Sequence, residues 1–183
     1  MKIFAETDRI ILREIVEDDA PAFFEMDSDP EVHTYLGSVP MTTIDQATET
    51  IRYVRQQYID FGIGRWAIID KQTNEFVGWG GMKFRQDLVN GQVNFYDVGY
   101  RLLRRFWGMG YATESAKASI AYAFEKMNLD AVYAMANVDN AASIKALLKS
   151  GFKITNELIH EGIPCYWFEI TRGGHLDLWS ANT

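Results

Sequence analysis

The chain has 183 residues, the size of one domain, and 48% of them are hydrophobic, which is enough for a sizeable core and excludes a chain disordered throughout. Its 25 acidic residues outnumber its 18 basic ones, so the formal charge is −7. An acidic chain without a basic run is a poor candidate for binding duplex nucleic acid, although it would suit a cationic partner.

The N-terminal segment and the cysteine content predict the cellular compartment of the protein. Met1–Glu6 becomes charged at once and lacks a signal-peptide core, and no apolar stretch approaches the roughly 18–20 residues that span a bilayer. The single cysteine, Cys165, cannot form an internal disulfide, and no Cys/His cluster has the spacing of a zinc site. We therefore expect a cytoplasmic protein with no membrane partner and no metal.

The first third of the chain predicts one strand and two helices. Arg9–Val16 reads as a strand. Asp18–Pro21 has the acidic residues and the proline that are typical of a helix start. Thr43 and Gln46 form a capping-box pattern, and apolar residues three and four positions apart continue that helix to Phe61.

The middle of the chain predicts three strands. They are Trp66–Ile69, Glu75–Phe84 and Val93–Leu103. Asn90-Gly91 lies between the last two and favours a tight hairpin turn, because both central residues of a type I′ turn need a positive φ. The last two strands are therefore expected to be antiparallel neighbours.

The C-terminal third alternates between helices and strands. Ala112–Met127 carries a stripe of mostly small residues that would let a helix lie close to a sheet, and Ala131–Ala136 reads as a strand. Asn140–Ser150 reads as a helix, and two strand-like runs surround Gly162–Pro164, before a tail at 173–183. This order predicts an α/β or α+β domain with a mixed sheet rather than a Rossmann repeat.

The segment Val98–Glu114 has the composition of an anion site. A strand ends, Gly108 and Gly110 allow a tight turn, and the free N–H groups of the next helix would point at a phosphate. Arg104 and Arg105 precede the turn and could meet further negative charge. An ordinary strand-to-helix turn is the alternative, because two glycines before a helix are a weak signal. The spacing fits neither a P-loop nor a dinucleotide fingerprint.

Three motifs in order resemble the GNAT superfamily of acyl-CoA-dependent N-acetyltransferases, and within it the RimJ/RimL branch of ribosomal-protein N-terminal acetyltransferases. They are Asp97–Leu102 (DVGYRL), Trp107–Glu114 (WGMGYATE) and Asn140–Phe152, in which an Asn opens a helix that ends in Gly-Phe. The resemblance covers about residues 7–172, so we expect residues 1–183 to form one domain. It implies a mostly antiparallel seven-stranded sheet flanked by about four helices and splayed between strands 4 and 5.

The resemblance also implies acetyl-CoA as cosubstrate, held in the splay. Leu102 and Leu103 would contact the pantetheine arm through their backbone. Asn140 would reach the same arm, or only cap its helix, since Asn is a preferred N-cap; Ser143 would lie beside it. The residues expected to wrap the pyrophosphate are Trp107, Gly108, Met109, Gly110, Tyr111, Ala112 and Thr113.

The catalytic assignments rest on the same resemblance. In many members a Tyr that acts as general acid occupies the position where this chain has Leu147. In the RimJ/RimL branch the general acid is instead the serine that corresponds to Ser143. Asp97 matches an acidic position beside the splay and is the candidate base, with a solvated carboxylate as the alternative. A carboxyl pKa near 4 would make Asp97 a poor base unless burial raised it.

The expected activity is transfer of acetyl from acetyl-CoA to a primary amine by direct attack in a ternary complex. The acceptor would be a protein N-terminal α-amine or a small-molecule amine, because the branch includes both kinds. The alternative is a catalytically inactive CoA-binding module of the same fold. A homodimer through the terminal strands or the tail is a further expectation from the family.

Overall fold

The computed structural model describes residues 1–175, and the expected tail at 173–183 lies mostly outside them. The strands within these residues are β1 Ile3–Glu6, β2 Ile10–Glu14, β3 Arg65–Asp70, β4 Phe76–Arg85, β5 Phe95–Val98, β6 Arg101–Leu102, β7 Ala131–Asn137, β8 Lys153–His160 and β9 Ile163–Thr171. These nine strands form one sheet in the order β1-β2-β3-β4-β5-β7-β9-β8, and β6 pairs with β4. The α-helices are α1 Ala20–Ser28, α2 Pro30–His33, α3 Ile44–Phe61, α4 Tyr111–Glu125 and α5 Ala141–Lys149. None of the helices within residues 1–175 is long and apolar enough to cross a bilayer.

The expectation of seven strands and about four helices was too low. The structure adds β1 to the N-terminal edge, where it pairs antiparallel with β2, and it adds the single-turn helix α2. The strand β1 was missed because it inserts one large side chain, Phe4, which stacks on Trp66 with ring centroids 4.8 Å apart. One anchoring residue in four gives too little alternation to indicate a strand.

Three local predictions are confirmed. The Thr43–Gln46 capping box begins α3, and the Gln46 side chain accepts from the Thr43 N–H at 3.1 Å. Asn90 and Gly91 have φ values of 50° and 75°, as a type I′ hairpin turn requires. Gly151, of the Gly-Phe pair at which the helix after Asn140 was predicted to end, has a φ of 101° and follows the C-cap Ser150, where a left-handed residue ends a helix.

The predicted strand Val93–Leu103 is broken in two, and the break produces the splay. Within residues 1–175, the ladder between β5 and β7 is parallel and consists of the single pair Asp97 and Tyr133. After a gap at Gly99 and Tyr100, β6 pairs with β4, and no ladder joins β6 to β7 in the described residues. The expected opening between the fourth and fifth strands of the family therefore lies between β6 and β7.

The close approach of α4 to the sheet depends on small residues. A Cβ built on Gly80 in β4 would lie 3.1 Å from the Ser115 hydroxyl oxygen. Ala116 and Ala123 on the same helix are 1% and 0% exposed. This packing fixes the first turn of α4 at the end of β6, beside the splay.

Candidate functional site

The turn between β6 and α4 presents a run of backbone donors. Gly108 and Gly110 have φ values of 74° and 87°, which turn the chain into the helix. The N–H groups of residues 108–113 find no acceptor within residues 1–175, and the Glu114 N–H is the first to bond, to the Gly110 carbonyl at 3.0 Å. Six unpaired donors at the positive end of a helix form a cradle for a phosphate or another anion.

Arg9 fixes the shape of this cradle from the strand β2 side. Its guanidinium donates to the Met109 carbonyl at 3.0 Å and to the Glu114 carboxylate at 2.7 Å. It also lies over the Tyr111 ring, 4.7 Å from the centroid. Thr7 donates a hydrogen bond to the same Glu114 carboxylate. The turn is thus held in place without using any of its own N–H groups.

Arg104 and Arg105 are less free than the sequence suggested. Arg104 pairs with Asp29 at 3.2 Å, and Arg105 pairs with Glu25. Both carboxylates belong to α1 or its end, so the two arginines join α1 to the turn. Their side chains remain 60% and 45% exposed. Each would have to leave its carboxylate, or share it, to contact an anion in the cradle.

Tyr111 anchors the first turn of α4 to the end of β3. Its hydroxyl donates to Asp70 Oδ2 at 2.6 Å, and the backbone N–H groups of Gln72 and Thr73 donate to Asp70 Oδ1 at 2.9 and 2.8 Å. The Tyr111 bond, with these backbone bonds, holds the pKa of Asp70 below its usual range. The ionised carboxylate of Asp70 therefore stabilises the folded chain more than the neutral carboxyl group does.

Replacement of Tyr111 by Phe is expected to cost about 1–2 kcal/mol of unfolding free energy at pH 7. A lowered carboxyl pKa gives stability that is present above the ordinary pKa and is lost as the pH falls through the lowered one. The difference in unfolding free energy between Tyr111→Phe and the native chain should therefore become smaller below about pH 4. Urea unfolding at pH 7 and pH 3 tests this. Tyr122→Phe is the control, because the Tyr122 ring packs on Trp66 and its hydroxyl has no hydrogen-bond partner in residues 1–175.

The edge of β6 that points away from β4 carries the Leu102 N–H, which has no acceptor within residues 1–175. The Leu103 N–H donates to the Val77 carbonyl at 3.0 Å, so it faces β4. Leu102 lies directly opposite Gly78 in a pair without mutual hydrogen bonds, so its N–H and C=O point away from β4. The Leu102 carbonyl accepts from Trp107 Nε1 at 2.9 Å. Of the two predicted backbone contacts, only the Leu102 N–H is directed into the splay.

Asn140 and Ser143 lie at the start of α5, on the other side of the splay. The Asn140 side chain accepts from the Ser143 N–H at 3.1 Å, so Asn140 caps the helix and retains its amide N–H₂. The Tyr100 hydroxyl lies 3.1 Å from Ser143 Oγ and 3.0 Å from the Ser143 carbonyl oxygen, and its single hydrogen can be donated to either oxygen. Burial raises the pKa of Tyr100 to about 12. Tyr100, in the break between β5 and β6, thus connects the two sides.

Asp97 is buried in an ion pair rather than solvated. Its Oδ2 accepts from Arg65 Nη2 at 2.6 Å, and the side chain is 10% exposed. Arg65 Nη1 donates to the carbonyls of Asp97 and Gly81 at 2.6 and 2.7 Å. Burial lowers the pKa of Arg65, and the Asp97 carboxylate opposes that shift. A Cβ on Gly99 would lie 2.8 Å from Arg65 Nη2, so the pair supports the break that opens the splay.

Sequence reasoning missed Arg65 and the contact of Tyr100 with Ser143. A single Arg at the start of an apolar strand and a Tyr inside a predicted strand carry no local signal of their partners. His33 is 8% exposed, and its Nδ1 lies 2.8 Å from Ser38 Oγ. Cys165 is buried. Residues 1–175 contain no group of three or more His, Cys, Asp or Glu that could hold a metal.

Comparison with known proteins identifies the family. The model of the acetyltransferase (GNAT) domain matches residues 9–153. A protein of Bacillus licheniformis named "Uncharacterized N-acetyltransferase p20" is 33% identical over 147 residues, which are 80% of each chain.

Two solved structures share the fold at low identity. RimJ of Mycobacterium smegmatis in complex with a CoA disulfide aligns over 94% of this chain and 89% of its own, with a TM-score of 0.76 and 18% identity. RimL, described as a ribosomal L7/L12 α-N-protein acetyltransferase in complex with coenzyme A, aligns over 93% and 98%, with a TM-score of 0.75 and 16% identity. The extent of the family match and the 33% identity to the Bacillus licheniformis relative place this chain in the GNAT acetyltransferase family, as an acyltransferase.

Proposed function

We propose that this chain, as one domain of residues 1–183, transfers the acetyl group of acetyl-CoA to a primary amine by direct attack in a ternary complex. The observation that carries the proposal is the run of unpaired N–H groups at residues 108–113 beside the open edge of β6. A pyrophosphate would accept from these donors. The pantetheine arm would then lie in the splay, between the Leu102 N–H and the Asn140 amide.

Proximity supplies much of the rate in such a complex, since amine and thioester are held together. Backbone N–H groups near the break between β5 and β6 would polarise the thioester carbonyl. Asp97 was the candidate base, but its ion pair with Arg65 favours a supporting role for its carboxylate. We therefore propose that the amine loses its proton through water, and that Ser143 presents its hydroxyl to the leaving sulfur.

The acceptor is a primary amine, either a protein N-terminus or a small molecule. Likeness to RimL supports a protein α-amine, although at 16% identity that likeness extends to the fold alone. The formal charge of −7 would attract a basic protein and a small polyamine alike. An acceptor panel containing basic peptides with free N-termini, spermidine and an aminoglycoside would separate these classes.

The cofactor site is tested by calorimetric titration with acetyl-CoA. Native protein is expected to bind at micromolar concentration, and Gly110→Trp should lose at least about 1.4 kcal/mol of binding free energy, a tenfold weaker affinity. Gly91→Trp is the matched control, because Gly91 is also at a positive φ, 75°, with no atom within 4 Å of an added Cβ. Equal binding by the two variants, or no binding by folded native protein, would contradict the proposed site.

A CoA-binding module without catalysis is the second candidate. It is favoured by Leu147 at the position where many members have a Tyr, and by the engagement of Asp97 with Arg65. This alternative predicts normal acetyl-CoA binding and no acetyl transfer to any amine of the panel. Release of free CoA thiol, measured with a thiol reagent in the presence and absence of each amine, distinguishes the two.

A further inference from the structure

We propose that Tyr100 is a positioning residue that acts through Ser143, and that the pair presents a hydroxyl hydrogen to the thiol as it leaves. This inference rests on the proposed acetyl transfer. It gives a role to a residue in the gap between β5 and β6, outside the phosphate cradle. The contact on which it depends joins the two sides of the splay, where the thioester would lie.

The position of Tyr100 follows from the break in the sheet. Gly99 and Tyr100 form the gap between β5 and β6, and the Gly99 N–H bonds back to the Gly81 carbonyl at 3.0 Å. The Tyr100 side chain extends from this gap to the first turn of α5. There its hydroxyl lies 3.0 Å from the Ser143 carbonyl oxygen and 3.1 Å from Ser143 Oγ.

The two distances allow two arrangements of hydrogens, and only one suits catalysis. If Tyr100 donates to Ser143 Oγ, the Ser143 hydrogen is free to point toward a sulfur atom in the splay. If Tyr100 donates only to the carbonyl, its hydroxyl oxygen can instead accept from Ser143 Oγ, 3.1 Å away. Because burial raises the pKa of Tyr100 to about 12, Tyr100 keeps its hydrogen at neutral pH and remains a donor.

The chemical step balances without a further reactant. The amine nitrogen forms the new C–N bond, the C–S bond breaks, and its electron pair remains on sulfur. Ser143 donates a hydrogen bond to the developing thiolate, and Tyr100 donates one to Ser143 Oγ, so the serine oxygen is polarised as sulfur gains charge. The attacking nitrogen loses one proton to water and the thiolate finally takes up one proton, so the step is balanced in protons.

A kinetic cycle tests whether Tyr100 acts through Ser143. Tyr100→Phe is expected to lower kcat about 10- to 100-fold and to leave the KM for acetyl-CoA unchanged. Ser143→Ala should cost a similar factor, and the double variant should be no slower than Ser143→Ala alone. Tyr122→Phe, which removes a hydroxyl without a hydrogen-bond partner in residues 1–175, should be fully active. Additive losses, or full activity of Tyr100→Phe, would overturn the inference.

A second measurement needs no turnover. In a Cys165→Ala background, Ser143→Cys places a thiol beside Tyr100, and the rate of iodoacetamide alkylation against pH gives its pKa. A Tyr100 hydroxyl that donates to the residue-143 side chain should lower this pKa, so adding Tyr100→Phe should raise it by about one unit. An unchanged pKa would show that Tyr100 bonds only the carbonyl, and would overturn the inference. Absence of acetyl transfer by native protein would instead overturn the proposed function, and the alkylation result would still decide the contact.

Discussion

Replacement of Arg65 by Met is expected to lower the free energy of unfolding by about 3–5 kcal/mol. The guanidinium is buried and bonds the Asp97 carboxylate and two backbone carbonyls, those of Asp97 and Gly81. Its removal leaves a buried carboxylate without its ion-pair partner and takes one donor from each carbonyl, although the Gly81 carbonyl still accepts from the Gly99 N–H at 3.0 Å. Ring contact is lost as well, because Arg65 lies over Trp79, 5.2 Å from the ring centroid. The loss should be one of the largest that a single polar residue of this chain can cause.

Urea unfolding monitored by tryptophan fluorescence measures this loss. Arg104→Met is the matched control, because Arg104 also pairs with a carboxylate, at 3.2 Å, but is 60% exposed. The exposed pair should contribute less than about 1 kcal/mol. The double variant Arg65→Met with Asp97→Leu should recover part of the loss, since no unpaired charge remains buried. Equal effects of Arg65→Met and Arg104→Met would contradict the supporting role of the buried pair.

Replacement of Gly78 by Ala is expected to separate β6 from β4. An added Cβ would lie 2.1 Å from the Arg101 carbonyl oxygen and 2.8 Å from Leu102 Cα, and both are backbone atoms that cannot move alone. The φ of 155° at Gly78 is also unfavourable for an L side chain. We expect a loss of about 3 kcal/mol or more in unfolding free energy, together with weaker acetyl-CoA binding, because the Leu102 donor would move.

Gly62→Ala provides the comparison for this variant. Gly62 has a φ of 70° and nothing within 4 Å of an added Cβ, so the substitution adds only backbone strain, about 1–2 kcal/mol. It also lies after α3, outside the cradle and the splay. Urea unfolding and calorimetric titration with acetyl-CoA of both variants separate the effect of backbone strain from the effect of moving β6 away from β4. If Gly78→Ala matched Gly62→Ala in both measurements, the tight contact between β4 and β6 would have no functional importance.

The elements that the sequence predicted correctly have their determinants within a few residues. The capping box at Thr43, the hairpin turn at Asn90-Gly91 and the capped helix after Asn140 each depend on chemistry that a short window contains. The glycines of the turn before α4 belong to the same class. Their φ values and the free N–H groups that follow them agree with the pattern that indicated an anion site.

The features that could not be predicted depend on residues far apart in the chain. The segment Val93–Leu103 reads as one strand, because the contacts that accompany its break come from Arg65 in β3 and from Gly78 in β4, which lacks a Cβ. The ion pair of the Asp97 carboxylate depends on the same arginine, 32 positions away in the chain. The partners of Arg9 and Tyr100 lie 105 and 43 positions away. Such pairs emerge only when the sheet order is known.

Strand β4 serves both halves of the sheet. Its N-terminal part pairs with β3 and β6, and its C-terminal part, Met82–Arg85, pairs with β5. Gly78, Gly80 and Gly81 lie before the point where the partner changes. One edge of the opening between β6 and β7 is therefore carried by this glycine-rich part of β4, because β6 pairs with β4 at Gly78 and Trp79. A substitution there would change the room for an acyl group longer than acetyl from outside the opening, and it would move the Leu102 N–H together with β6.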